Sequence, residues 1–177
     1  MKYSNIKIGD KCPKEFNSIV EISMNSGPVK YEFNKEMDAI FVDRFMESTM
    51  EYPCNYGFVP HTLSGDGDPL DILIHTNHAI LVNSIIMVRP IGVLYTEDEK
   101  GLDEKILSVP IDKIDSYFQN IKNYSDLPTI FLKRIEHFFA RYKDLNNNKW
   151  VKVNGWGDTN DAEKIITMSV DNYKNKG

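Results

Sequence analysis

Three carboxylates fall within six residues in Asp66-Gly67-Asp68-Pro69-Leu70-Asp71. Gly67 and Pro69 hold that stretch in a tight turn, so Asp66 and Asp68 cannot splay apart, and Asp71 opens the apolar run Ile72-Leu73-Ile74. Crowded carboxylates repel one another, and a hard cation such as Mg²⁺ or Mn²⁺ among their oxygens removes the repulsion. Locally, an acidic solvated turn explains the same residues equally well, because Asp, Gly and Pro are all turn formers. Calcium sensing by an EF-hand is a poor match. With Asp66 as the first loop position, Asp71 stands where the invariant glycine belongs and Asn77 where the bidentate glutamate belongs.

A second acidic stretch, Glu97 to Lys105, joins two strands and could bring Asp98 and Asp103 beside the first cluster. By itself it reads as an exposed loop. Lys30, Arg44, Lys105 and Lys143 supply cations near strand or helix ends, and each alone is ordinary surface. Tyr52, Tyr56 and Tyr142 could place hydroxyls at a water boundary. His75 and His78 lack a third ligand nearby and read as a turn, and His137 reads as a packing or interface residue. No GxSxG, Walker A or GxGxxG motif is present, so nothing points to covalent catalysis.

The elements that must carry these groups are short. Alternation predicts strands over 18–22, 29–33, 40–45, 56–60, 70–74 and 105–110, and a long strand over 84–95 bent at Pro90 and Gly92. A helix is expected on Ile130, Phe131, Ile135, Phe138, Phe139 and Tyr142, with Ser125-Asp126 as cap candidates and Pro128 in its first turn. A short strand over 150–153 and a helix from about Thr159 to Tyr173 follow. Trp150 and Trp156 are expected to anchor the core. Many short strands followed by helices suggest an α+β fold, predominantly β: an OB-like barrel with two flanking C-terminal helices.

A chain of 177 residues, 41% hydrophobic and 27% charged, is expected to form a single domain spanning residues 1–177. Its formal charge of −5 disfavours general nucleic-acid binding, which needs a basic excess. The alternative function is an OB-type single-strand nucleic-acid module, but acidic residues at the candidate mouth oppose it. Apolar runs are too short for a membrane span, no signal-peptide pattern is visible, and Cys12 and Cys54 stand far apart. A reducing cytoplasm is the expected location.

The ordered series of motifs resembles the family I soluble inorganic pyrophosphatases of bacterial type, from about Ser18 to the last helix. Asp66-Gly67-Asp68-Pro69-Leu70-Asp71 fits that family's D-[SGDN]-D-[PE]-[LIVMF]-D pattern. Around it stand Lys30-Tyr31-Glu32, Phe41-Val42-Asp43-Arg44, Tyr52 to Gly57, His137-Phe138-Phe139, Tyr142 to Leu145, Trp150 to Val153 and Gly155-Trp156. The resemblance implies a five-stranded OB-like barrel that hydrolyses diphosphate to two phosphates with several Mg²⁺ ions, Mn²⁺ or Zn²⁺ being possible substitutes. It implies Glu32, Asp66, Asp71, Asp98 and Asp103 as metal ligands and Asp68 as the general base. Lys30, Arg44, Tyr56, Lys105, Tyr142 and Lys143 would grip the phosphates, with Tyr52 and Glu21 in support. A homohexamer is also implied. One departure is Arg141, where members of the family often carry a second histidine near subunit contacts.

Overall fold

The computed structural model describes residues 2–176. Nine strands and two α-helices carry the architecture of those residues: β1 Phe16–Ile22, β2 Val29–Asn34, β3 Ala39–Phe45, β4 Asn55–Phe58, β5 Asp71–Ile74, β6 Ile85–Asp98, β7 Gly101–Leu102, β8 Lys105–Pro110, α1 Thr129–Arg141, β9 Val151–Gly157 and α2 Thr159–Lys176. Five strands close on themselves in the order β1-β4-β5-β8-β6, because β6 pairs back onto β1. Only β5 and β8 are parallel, while β2 and β3 form a separate hairpin. Closing the ring leaves no open edge among its members and yields the OB-like α+β fold expected from the strand pattern.

Alternation within the ring strands feeds two packed layers. Ile72, Ile74, Val93 and Ile106 pack with Ala162 and Ile166 of α2, whereas Leu73, Leu94 and Leu107 pack with Ile135, Phe138 and Phe139 of α1. Both faces are covered, so β8 is buried along its whole length and reads as a continuous run rather than a half-polar one. The register of β6 against β8 slips between Pro90 and Gly92, the predicted bend. Gly57 is required where β4 crosses β1, since a Cβ there would lie 1.8 Å from the Ile19 carbonyl oxygen.

Several local expectations change in three dimensions. β6 runs on to Asp98, so the acidic stretch is the tip of a β6–β7 hairpin rather than a loose connection. Ser125 and Asp126 belong to a separate 3₁₀ turn, where the Asp126 carboxylate accepts the Lys122 and Asn123 amides, and Pro128 itself is the N-cap of α1. Ile130 is exposed and so is Trp150, because neither faces the barrel. His137 is exposed as well. By contrast His75 is largely covered by Phe131 and Phe118, with ring centroids 4.1 and 5.1 Å away.

Candidate active site

A cavity of about 330 Å³ opens beside the barrel, and every residue assigned above to metal, base or phosphate lines it. Segments far apart in the chain deliver them. The β2–β3 hairpin carries Lys30, Glu32 and Arg44, with Lys30 directly opposite Arg44. Tyr56 comes from β4. Asp66 and Asp68 come from the turn before β5, which Gly67 closes at φ +89° and which the Asp68 amide braces by donating to Asp66 Oδ1 at 3.1 Å. Asp71 and Lys105 begin β5 and β8, and parallel pairing sets them side by side. Asp98 ends β6, Asp103 follows β7, and Tyr142 and Lys143 follow α1.

Lys105 is the electrostatic centre. Its side chain is 3% exposed, and its Nζ lies 2.6 Å from Asp71 Oδ2 and 2.9 Å from Asp103 Oδ1. The Tyr56 hydroxyl donates to the same Asp71 oxygen, and the ammonium also rests 5.3 Å from the Phe139 ring centroid. Burial alone would lower the Lys105 pKa, but Asp71 and Asp103 overcome it and raise it above the ordinary lysine value. Burial pushes the Asp103 carboxyl up to about 6, against the pull of Lys105 and with the help of Asp71. Across the cavity, Lys143 Nζ meets Asp98 Oδ2 at 2.9 Å and Glu99 at 3.6 Å. Burial opposes ionisation of Asp98, yet the Lys143 hydrogen bond and the Lys100 amide keep its carboxyl below the usual range.

The floor and rim are equally polar. Glu21 is buried and accepts the Phe33 amide at 2.7 Å, tying β1 to the hairpin that carries Lys30 and Glu32. Desolvation pushes its carboxyl up to about 8. Tyr52 is 2% exposed between Tyr56 and Phe138. Asp68 projects from the rim with Lys100 at 3.9 Å, both side chains 65% exposed. Composition gave Lys105 no distinction from surface lysines; pairing with β5 buries it. Sequence reasoning also passed over Asp43, Lys35, Lys100 and Lys149, all of which line the cavity. For Asp43 a signal existed, since it adjoins Arg44 inside one of the quoted motifs.

Among the described residues, no three carboxylate, imidazole or thiolate groups stand close enough to enclose an ion as the side chains are placed. The ammonium groups of Lys105 and Lys143 sit among the carboxylates instead. The donor set nevertheless fits a hard divalent cation. Glu32, Asp66, Asp71, Asp98 and Asp103 offer only carboxylate oxygen to the cavity, and no histidine or cysteine lines it.

Comparison with known proteins gives one consistent result. The sequence model described as inorganic pyrophosphatase matches residues 18–174. The inorganic pyrophosphatase of Rickettsia prowazekii is 58% identical over 157 residues, covering 89% of this chain and 91% of that one. A crystal structure of an inorganic phosphatase from Anaplasma phagocytophilum superposes with a TM-score of 0.94 at 47% identity, over 96% of this chain and 99% of that chain. The inorganic pyrophosphatase from Thermus thermophilus gives 0.92 at 36% identity, over 98% and 99%. A nucleic-acid module finds no support in these likenesses, and the chain belongs to the inorganic pyrophosphatase family.

Proposed function

We propose that this chain, acting as a single domain, hydrolyses inorganic diphosphate to two phosphates with Mg²⁺ in the carboxylate-lined cavity. The observation that carries the reading is the convergence there of five candidate oxygen ligands, the candidate base Asp68 and six candidate phosphate donors. Asp66, Asp71 and Asp103 would hold one cation, with Asp71 shared by a second. Asp98 and Asp103 would hold a further one, and Glu32 would reach another through water. Bound there, magnesium supplies Lewis acidity, screening the substrate's charge and acidifying the attacking water.

The chain's own groups do the rest. Asp68, exposed at the rim, accepts the water's proton. Lys30, Arg44 and Lys143 donate to phosphate oxygens, and Tyr56 and Tyr142 add neutral hydroxyl donors. Lys105 presents its charge from beneath, where low dielectric makes it count most as negative charge gathers on the departing phosphate. No side-chain nucleophile is needed, because water attacks in line. Mn²⁺ or Zn²⁺ would serve as substitutes, because both accept carboxylate oxygen ligands. A homohexamer in the cytoplasm completes the proposal; no helix of the described residues is long and apolar enough to cross a membrane.

The direct test is phosphate release from diphosphate by the purified protein. Turnover in Mg²⁺ that chelation abolishes is the expected result. No release with any of the three metals would overturn the reading.

A further inference from the structure

Asp43 has no role in the reaction as described, yet one of its oxygens ties down two of the phosphate-binding cations. Its Oδ2 accepts from Lys30 Nζ at 3.0 Å and from Arg44 Nη1 at 2.8 Å. Lys30 and Arg44 face each other across the β2–β3 hairpin, where like charges repel. All three line the cavity. Burial would raise the Asp43 pKa, but the hydrogen bond and charge of Lys30, with Arg44 beside it, hold the carboxyl below the ordinary range. The clamp is only partly shielded, with side-chain exposures of 24% for Lys30, 26% for Asp43 and 38% for Arg44. Solvent therefore weakens it enough for an arriving phosphate to compete.

We propose that Asp43 is a positioning residue that stands in for phosphate: it keeps Lys30 and Arg44 together and tempers their hold on phosphate oxygens. The inference rests on assigning those two cations to phosphate. A phosphate that reaches them shares them with an anion already about 3 Å from each. The penalty falls on substrate and product alike, so it is uniform binding, which changes KM without helping the chemical step. Tempering the grip also speeds release of the product phosphate.

The test is calorimetric titration of inorganic phosphate into the magnesium-loaded protein. Asp43→Asn should tighten phosphate roughly threefold to tenfold, the size expected for deleting one nearby charge at a partly shielded site. Its KM for diphosphate should fall while kcat does not rise, and Asp43→Glu, which restores a carboxylate, should return affinity toward the parent value. Asp43→Ser gives the same readout should the asparagine disturb the hairpin. Unchanged or weaker phosphate binding in a folded Asp43 variant would overturn the proposal. Arg44→Ala separates the two levels: if it leaves phosphate affinity unaltered, the phosphate assignment itself has failed. If it weakens binding while Asp43→Asn changes nothing, only the role of Asp43 has failed.

Discussion

Asp71 and Lys105 are 34 residues apart in sequence, yet they are Cα partners in the parallel β5–β8 pair, with Nζ 2.6 Å from Oδ2. The pair sets a buried cation against two carboxylates at the base of the cavity. Breaking such an arrangement from one side leaves uncompensated charge, which costs more than the intact pair contributes.

Lys105→Met should therefore destabilise the fold by roughly 3 kcal/mol as well as abolish activity. Urea unfolding with and without Mg²⁺ measures it. A loss below about 1 kcal/mol, the level of an exposed pair, would show that Asp71 and Asp103 are already well solvated.

Asp71→Asn keeps the acceptor for Tyr56 but removes the charge that Lys105 and a metal both use. Turnover should fall by about two orders of magnitude or more while circular dichroism is unchanged. Near-normal phosphate release would remove Asp71 from the metal site.

For Asp68→Asn the expectation differs. The side chain points from the exposed rim, so kcat should drop by roughly 10²- to 10⁴-fold while Mn²⁺ affinity, followed by electron spin resonance, stays close to the parent's. Weaker metal binding with intact chemistry would mean that the base lies elsewhere.

His75 provides a pH test away from the site. Burial against Phe131 and Phe118 lowers its pKa from 6.5 to about 4. The unfolded chain takes up this proton first, so the stability is whole above pH 6.5 and drains away as pH falls toward 4. Between pH 7.5 and 5 this residue should account for about 2 kcal/mol. His75→Gln should flatten that part of the stability profile; equal slopes in the two proteins would show that the imidazole is charged in the folded state.

Sequence reasoning reached furthest where the physics is local. The turn from Asp66 to Asp71 is set by glycine's positive φ and proline's fixed one, and the bend at Pro90–Gly92 follows from the missing amide and missing side chain. Alternation likewise marks β2 and β3 as strands, but Lys30 stands opposite Arg44 only because the register slips past Asp43 between Lys30 and Tyr31. Family resemblance then named the remaining site residues, which composition alone left as surface lysines and an acidic loop.

Tertiary structure decided the rest, because burial is a property of what covers a residue and not of its type. Closing β6 onto β1 and setting β8 beside β5 turned Lys105 into a sunken charge, and the end of α1 carried Lys143 to Asp98, 45 residues away. Trp150 went the other way, an aromatic expected in the core that remains 47% exposed. Local dihedral preferences determine which segments are strands and turns; only long-range register determines which side chains meet.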